Sequence, residues 1–213
     1  MRMAVLLFDN VTALDVVGPF EVLRLTGADE VVFVGKKAGE VRARGALGLA
    51  VDRTLDEVPE ADIVLVPGGP GQVPLMADEE VLAWLRRVDE TTTWTTGVCT
   101  GSLLLAAAGL LTGRRATTHW LALDQFPAFG VEPSEERVVF DGKYVTAAGV
   151  SAGIDMAFQL GARLSGDDVA QTIQLAVEYD PQPPFDMGSP AKAPAELVAS
   201  MRGNIGRFLR GET

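Results

Sequence analysis

The sequence predicts an α/β fold in which a mostly parallel central sheet lies between helices on both of its faces. Two apolar runs of strand length, Met3–Phe8 and "DIVLV" at 62–66, lack the polar alternation of a half-exposed strand, so we expect both faces of each strand to be covered. Segments with helical patterns separate the strand-like runs. Strands that alternate with helices along a chain form layered folds with parallel sheets.

The first half of the chain predicts strand-to-helix units with a hairpin between them. Pro19 suits the first turn of a helix that ends at Gly27, because proline is preorganised for that turn and needs no N–H there. Glu30–Gly35 is interpreted as the second strand, and residues 40–58 as a short hairpin or excursion. Asp78–Glu90 is amphipathic with an acidic first turn, which predicts the next helix.

The second half continues the alternation. It predicts a strand at "TTTWTTGV", a helix over Thr100–Gly109, a short helix at "HWLALDQFP", two strands around the Asp-Gly turn of "RVVFDGKYVTAAG", helices at "SAGIDMAFQLGARLSG" and "DDVAQTIQLAVEY", and a final helix at "AELVASMRGNIGRFLRG". The proline-rich "DPQPPFDMGSPAKAP" is interpreted as an extended surface segment. No repeat or linker divides the chain, so we expect a single domain over residues 1–213.

Composition and charge favour a cytoplasmic protein that binds small molecules. Hydrophobic residues make up 47% of the chain and charged residues 22%, as is ordinary for a globular protein. Asp9 and Asp15 interrupt the N-terminal apolar run too early for a signal peptide or a membrane span, and a single cysteine cannot form an internal disulfide. The net charge of −11 repels phosphate backbones, so we do not expect nucleic acid as a partner, and the early aspartates give no reason to expect a membrane.

Three turns are expected to meet at one edge of the sheet. Ligands of open parallel sheets bind outside the carboxyl ends of the strands, where strand-to-helix turns gather. These turns are the "LD" pair that ends at Asp15, the "PGGPG" loop at 67–71, and "GVCTG" at 97–101. Candidate functional residues are therefore sought in these segments.

Cys99, the only cysteine, follows a strand and precedes a helix. The small residues Gly97 and Gly101 allow a sharp turn that holds the thiol toward the ligand edge, as in a nucleophile elbow. A helix N-terminus would stabilise the thiolate and lower the pKa of the thiol. The alternative is a small apolar side chain buried in the core. The glycine-flanked turn favours the nucleophile, since packing alone would not require it.

A nucleophilic thiol needs a group that handles protons, and the sequence offers two candidates. His119, the only histidine, lies beyond the helix that follows Cys99, and it could instead hydrogen-bond a turn. Asp15 lies on the predicted ligand edge, and it could instead act as an N-terminal helix cap. Because Asp15 is expected to lie beside the cysteine turn, the sequence favours Asp15 over His119 as the group that exchanges protons with the thiol.

The loop Gly68–Gly71 does not match a phosphate-binding P-loop or a dinucleotide fingerprint. It could be a plain turn that requires positive φ angles. Gly68 and Gly69 are also candidates for substrate binding, because glycine amides at the ligand edge can donate to charge that develops in a reaction.

Several segments resemble the DJ-1/PfpI superfamily, and within it the isocyanide hydratase branch. They run from the first strand to about Pro190: "ALDVVGPFEVL", "VPGGPG", "GVCTGSLLLAAAGLLTGRRATTHW", "DGKYVTAAGVSAGIDMAFQLGARLSG" and "QLAVEYDPQPPFDMGSP". The elbow alone is typical of the whole superfamily, whereas "CTGSLLLAAAGLL", "TTHW" and "EYDPQPPFDMGSP" together are more specific. The resemblance implies a flavodoxin-like three-layer sandwich and a homodimer.

The resemblance also implies roles for individual residues. Cys99 matches the family's nucleophile, Thr100 the threonine that follows it in isocyanide hydratases, and Asp15 the carboxylate that serves as acid and base. Gly69 and the backbone N–H of Thr100 match the amide donors beside the sulfur. The implied reaction is hydration of an isocyanide, R–N≡C, to an N-substituted formamide, with no metal or organic cofactor.

Other functions within and beyond the superfamily remain as alternatives. PfpI-type peptidases place histidine directly after the cysteine, where this chain has Thr100. DJ-1-like glyoxalases or deglycases usually have glutamate at the position of Asp15. AraC-type regulators share similar motifs but need a helix-turn-helix module, and only about two dozen residues follow Pro190. A redox or small-molecule sensor would also use a reactive cysteine.

Overall fold

The computed structural model of the protein describes residues 1–204, and a seven-stranded sheet forms its centre. The strands are β1 (Arg2–Leu6), β2 (Glu30–Gly35), β3 (Gly39–Arg42), β4 (Gly48–Val51), β5 (Arg53–Thr54), β6 (Ile63–Val66), β7 (Trp94–Val98), β8 (Arg115–Ala116), β9 (Glu132–Pro133), β10 (Val138–Asp141) and β11 (Tyr144–Ala147). The helices are α1 (Ala13–Leu23), α2 (Gln72–Leu75), α3 (Glu79–Asp89), α4 (Gly101–Ala107), α5 (Ala152–Ser165), α6 (Asp167–Ala176) and α7 (Ala195–Gly203). Short 3₁₀ helices cover Leu55–Glu57 and Leu123–Phe129.

The central sheet has the strand order β10-β11-β7-β6-β1-β2-β5, and all neighbours are parallel except β10 and β11. Without the antiparallel β10 and the two-residue β5, the parallel strands run β2-β1-β6-β7-β11, which is the flavodoxin-like order. The chain order reverses between β1 and β6, and ligands of such sheets bind at this switch point. The predicted flavodoxin-like fold is confirmed.

Helices cover both faces of the sheet. Helices α1, α5 and α6 pack on one another in one layer, while α2, α3 and α4 pack together in the other. Strands β1 and β6 run between these layers, and every residue of Ile63–Val66 is buried, as their unbroken apolar sequence predicts. The layers meet the sheet through an aliphatic core that includes Leu65, Leu85 and Leu104.

Helix α1 differs from its predicted position in a way that matters for the site. It begins at Ala13, so Pro19 lies in its interior rather than in its first turn. Proline there removes one intrahelical hydrogen bond, which the packing of α1 against α5 can offset. As a consequence, Asp15 lies in the first helical turn and not in the preceding loop.

Other boundaries differ less. The predicted hairpin at residues 40–58 is confirmed as the antiparallel pair β3 and β4, and the helix expected at "HWLALDQFP" is a 3₁₀ helix that begins later, at Leu123. The parallel contact between β8 and β9 was not predicted. The final helix forms over Ala195–Gly203, and the part predicted beyond residue 204 lies outside the described residues. Within residues 1–204, the helices are too short or too polar to cross a membrane.

Candidate active site

Cys99 lies in a strained turn between β7 and α4, at the carboxyl end of the sheet. Its φ of +56° is in the left-handed region, which costs a residue with a side chain roughly 1–2 kcal/mol. Its N–H donates to the carbonyl oxygens of Ala147 and Ala148, each at 3.0 Å. Its carbonyl oxygen accepts a hydrogen bond from Thr118 Oγ1 at 2.7 Å. Strain that the surroundings maintain in this way is typical of a functional site.

Asp15 reaches the same place from α1. Its side chain is fully buried, and Oδ2 accepts a hydrogen bond from the Gly68 N–H at 3.0 Å. Burial raises the pKa of Asp15 from 3.8 to about 7, because a desolvated carboxylate is unfavourable, while hydrogen bonds from Gly68 and from the Cys99 thiol offset part of the increase. The contact with the thiol is loose: within residues 1–204, Oδ1 has no hydrogen-bond partner of regular geometry.

The pKa of the Cys99 thiol is raised far above its ordinary value. Burial is the largest cause, and the negative charge of Asp15 is the next. The backbone N–H groups of Val150 and Thr100 donate to the sulfur and lower the pKa, but by less. The pKa decrease predicted from the helix N-terminus is therefore wrong for the buried thiol, since desolvation and a neighbouring carboxylate outweigh the amides.

The thiol and the carboxyl form a coupled pair that holds one proton above about pH 7. Moving this proton from sulfur to Asp15 converts a thiol and a carboxylate into a thiolate and a carboxylic acid. The pair carries one negative charge in both states, so the transfer avoids the full desolvation penalty of creating a second buried charge. The arrangement can supply both a nucleophile and a proton donor from one proton.

Thr100 links the elbow to the glycine loop. It precedes α4, yet its hydroxyl does not cap this helix: Oγ1 accepts a hydrogen bond from the Gly69 N–H at 3.0 Å. The loops lie so close together that a Cβ on Gly68 would be 2.5 Å from Thr100 N and 2.6 Å from Thr100 Oγ1. Gly69 has a φ of +130°, which requires glycine. The loop is therefore built for close approach to the elbow.

The amides of the glycine loop are already engaged within the site. The Gly68 N–H holds Asp15 and the Gly69 N–H holds Thr100, so neither points at open space. The structure brings together Cys99, Asp15, Thr100 and both glycines, as the sequence predicts. A direct role of Gly68 and Gly69 in substrate binding stays a prediction.

His119 has a different environment from the thiol–carboxyl pair. Its Nδ1 accepts a hydrogen bond from the Leu121 N–H at 3.3 Å, which matches the alternative interpretation of a histidine that bonds a turn. Burial lowers the pKa of His119 to about 4, so the ring is neutral near pH 7. The ionisable group that acts on the thiol is Asp15.

Among the residues that contact Cys99 and were not predicted from the sequence, two act on its sulfur and on its carbonyl oxygen. Val150, whose N–H donates to the sulfur, has a φ of +33° and precedes α5. Thr118, whose hydroxyl bonds the Cys99 carbonyl, lies in the "TTHW" segment. Nothing in the local sequence marks Val150. Within residues 1–204 only the second of the two threonines before His119 bonds through its hydroxyl, because the buried Thr117 Oγ1 has no hydrogen-bond partner, so the pair of threonines did not indicate this contact.

An open cleft lies beside this site and not at it. It has a volume of about 630 Å³ and is lined by Asp9, Asn10 and Gly71 together with apolar residues such as Val41 and Leu75. Its lining does not include Cys99, Asp15 or Thr100, as far as the described residues go. The thiol and the carboxyl are enclosed, with Asp15 fully buried and the Cys99 residue only 4% exposed.

The fold and the site together define a class of protein: a flavodoxin-like α/β domain with a cysteine on a strained elbow and a buried carboxyl beside it. A model of the DJ-1/PfpI family matches residues 1–163. The chain belongs to the DJ-1/PfpI family.

Individual relatives extend this assignment. The chain is 44% identical over 213 residues to an isonitrile hydratase of Pseudomonas putida, an alignment that covers all of this chain and 93% of that protein. It is 37% identical over 146 residues to the transcriptional regulator CdhR of Pseudomonas aeruginosa, covering 66% of this chain and 42% of the regulator. The crystal structure of a ThiJ/PfpI family protein from Pseudomonas syringae superposes with a TM-score of 0.93 at 34% identity, covering 99% of this chain and 88% of the other.

Proposed function

We propose that this protein hydrates isocyanides to N-substituted formamides, with Cys99 as nucleophile and Asp15 as general acid and base. The observation that carries the proposal is the buried thiol–carboxyl pair at the switch point of the sheet, which holds one proton near neutral pH. Identity of 44% with an isonitrile hydratase along the whole chain supports this substrate class.

The first step uses the proton of the pair twice. Asp15 takes the proton of the Cys99 thiol, and the thiolate attacks the terminal carbon of R–N≡C. Asp15 then returns the proton to that carbon, so that a C–S bond and a C–H bond form and the product is the thioimidate R–N=CH–S–Cys99. General acid–base catalysis of this kind requires a carboxyl whose pKa lies near the working pH, as that of Asp15 does.

The second step releases the product. Ionised Asp15 removes a proton from water as the water oxygen adds to the thioimidate carbon, and Asp15 then gives this proton to the imine nitrogen. When R–NH–CH(OH)–S–Cys99 collapses, Asp15 takes the hydroxyl proton, the C–S bond breaks to yield R–NH–CHO, and the proton passes from Asp15 to the departing sulfur to restore the thiol. The N–H groups of Val150 and Thr100 stabilise the departing sulfur, because amide donors favour its charged form.

The site favours a neutral, slender substrate. The pair carries one negative charge and the chain has a net charge of −11, so anions are repelled. The linear isocyano group is thin, which suits a thiol that is almost wholly buried. Thr100 donates its N–H to the sulfur, and its hydroxyl accepts a hydrogen bond from the Gly69 N–H, which holds the elbow against the loop.

Turnover of an alkyl and an aryl isocyanide by the purified full-length protein tests the proposal, with the formamide quantified by chromatography. Wild type should form the formamide, and Cys99→Ala should form none. Formamide production that survives Cys99→Ala would overturn the nucleophile. Consumption of methylglyoxal without isocyanide turnover would favour the glyoxalase alternative. Absence of both activities, with peroxide oxidation of Cys99 that changes partner binding, would favour a sensor.

The homodimer implied by the family resemblance is part of the proposal. Leu14 and Val17 on α1 are partly exposed in the single chain, which leaves apolar surface close to Asp15 available for a second copy. Size-exclusion chromatography with light scattering should give twice the mass of one 22.6 kDa chain. A mass equal to that of one chain would contradict the dimer and leave the proposed chemistry unaffected.

A further inference from the structure

The "TTHW" segment runs behind the elbow, and the proposed chemistry assigns it no task. Thr118 is fully buried, and its hydroxyl donates to the carbonyl oxygen of Cys99 at 2.7 Å. The segment itself is anchored, since the Thr117 N–H donates to Thr146 Oγ1 at 2.9 Å. The hydroxyl of Thr118 therefore comes from a fixed position.

We propose that Thr118 is a positioning residue, whose hydroxyl fixes the plane of the Cys99–Thr100 peptide and so holds the Thr100 N–H toward the sulfur. A trans peptide is planar, and its C=O and N–H groups point in opposite directions. A hydrogen bond that holds the Cys99 carbonyl on the Thr118 side consequently directs the Thr100 N–H to the other side, where it meets the thiol. This inference rests on the proposed function for its effect on catalysis.

Within the described residues, the Cys99 carbonyl has little other support. The Ser102 N–H reaches it at 3.4 Å, which is long for a hydrogen bond. The Leu103 N–H, which a regular helix would offer to residue 99, bonds to the Thr100 carbonyl at 3.0 Å instead. Without the Thr118 hydroxyl, this buried carbonyl would lack a good donor, and the strained peptide would be free to rotate.

The charged and titratable groups around the thiol allow the effect to be isolated. Asp15 faces the sulfur from α1, and His119 follows Thr118 in the "TTHW" segment but is neutral near pH 7. Substitution of Thr118 leaves both groups in place. A change in thiol ionisation then reports whether the Thr100 N–H still points at the sulfur, since loss of an amide donor disfavours the thiolate.

The test compares Thr118→Val, which keeps the shape and removes the donor, with Thr118→Ser, which keeps the donor. The probe is iodoacetamide, and the rate of alkylation of Cys99 in the full chain is followed by mass spectrometry from pH 5 to 10, a range in which the thiol stays largely protonated and the rate reports its thiolate fraction. For Thr118→Val we expect alkylation about tenfold slower at each pH, so that the rate–pH curve is displaced to higher pH, whereas Thr118→Ser should stay within about twofold of wild type. If Thr118→Val does not fold, Thr118→Ala takes its place under the same criterion.

An unchanged rate–pH curve of alkylation in Thr118→Val, with only a lower melting temperature, would overturn the inference, because a merely structural hydroxyl would act in that way. A parallel kinetic measurement separates the two proposals. If wild type forms no formamide and Thr118→Val still displaces the rate–pH curve, the hydratase proposal fails and the positioning role stands. If wild type hydrates isocyanides and Thr118→Val matches its kcat and its rate–pH curve, the positioning role fails alone.

Discussion

Two buried carboxylates lie at opposite ends of the sheet, and their surroundings differ. Asp89 lies near the start of β7 and β11, where Oδ1 accepts from Thr95 Oγ1 at 2.6 Å and Oδ2 accepts from Tyr144 OH at 3.0 Å and pairs with Lys143 Nζ at 3.1 Å. Asp15, at the other end, has one backbone donor and an unsatisfied Oδ1, taking residues 1–204 as a whole. A carboxylate with all its partners stabilises a fold, whereas one that lacks partners retains the capacity to exchange a proton.

The two ends also differ in backbone strain and in stability. Cys99 and Val150 beside Asp15 have positive φ angles, and burial of the carboxyl raises its pKa. Near Asp89, by contrast, burial and the hydrogen bond to Asp89 raise the pKa of Tyr144 to about 12. The Tyr144 hydroxyl therefore stays protonated and remains a hydrogen-bond donor to Asp89. The carboxyl end thus combines backbone strain with an unfavourably buried carboxyl, a combination that is common in active sites.

Asp15→Asn should have the largest effect on activity, and its effect on stability should differ from that of a substitution at Asp89. The amide cannot exchange the proton, so the rate of formamide formation should fall by at least about 10³-fold. The melting temperature should stay the same or rise at pH 8, because a desolvated charge is removed. Steady-state kinetics and thermal unfolding check both effects. Activity within tenfold of wild type would remove Asp15 from the mechanism.

Asp89→Asn is the matched control at the opposite end. Lys143 would lose its charged partner, and we expect the free energy of unfolding to fall by about 3 kcal/mol, or roughly 10² in the folding equilibrium. Well below the melting temperature, kcat/KM should stay within about threefold of wild type. Urea unfolding gives the first quantity and the isocyanide assay the second. A stable but inactive Asp89→Asn protein would contradict the division between the ends.

The pH dependence of activity should follow Asp15. Below about pH 7 both members of the pair are protonated and no base remains, so kcat/KM should fall about tenfold for each pH unit. A flat profile between pH 5 and 8 would contradict the proton-sharing pair.

The pH dependence of stability should have the opposite sign. The pKa of Asp15 is higher in the folded protein, about 7, than its ordinary value of 3.8, so the folded state binds more protons between these values. Its contribution to stability is complete below about pH 4 and is lost as the pH rises through 7. Wild type should therefore lose about 2–3 kcal/mol relative to Asp15→Asn between pH 5 and 8, measured by urea unfolding at both pH values. An equal difference at the two pH values would contradict the shifted pKa.

Gly149→Ala should have the smallest effect on kcat/KM, and it tests whether the packing of His119 beside the turn before Val150 influences the Asp15 end of the sheet. A Cβ there would lie 2.7 Å from Cδ2 of His119, so the ring or the turn before Val150 must move. We expect kcat/KM to fall by about threefold to tenfold through the Val150 N–H, and His119→Ala in the same chain should restore part of it. Gly188→Ala is the control, since no described atom lies within 4 Å of its Cβ position. Equal effects of the two alanines would exclude a role for this packing.

Much of the molecule was predictable because its signals are local. The unbroken apolar runs of β1 and β6 predict buried parallel strands, and the Asp-Gly turn predicts the antiparallel pair of β10 and β11. Gly97 and Gly101 around Cys99 predict the elbow. The start of α1 was predicted too late, because Pro19 is tolerated in the helix interior where α5 packs against it.

The sequence by itself determined which residues stand at the carboxyl ends of the strands: Asp15 after β1, Gly68 after β6 and Cys99 after β7. Strand order, burial and the partners of each atom were decided by the tertiary structure. The Gly68 N–H that holds Asp15 is 53 positions away in the chain, and the Thr118 hydroxyl that holds Cys99 is 19 positions away. A local sequence pattern predicts where a residue lies relative to its strand or helix, whereas the pKa of its thiol depends on every group that surrounds it in the folded protein. The helix-start signal therefore predicted a lowered pKa for Cys99, and the enclosed site with its carboxylate raises it.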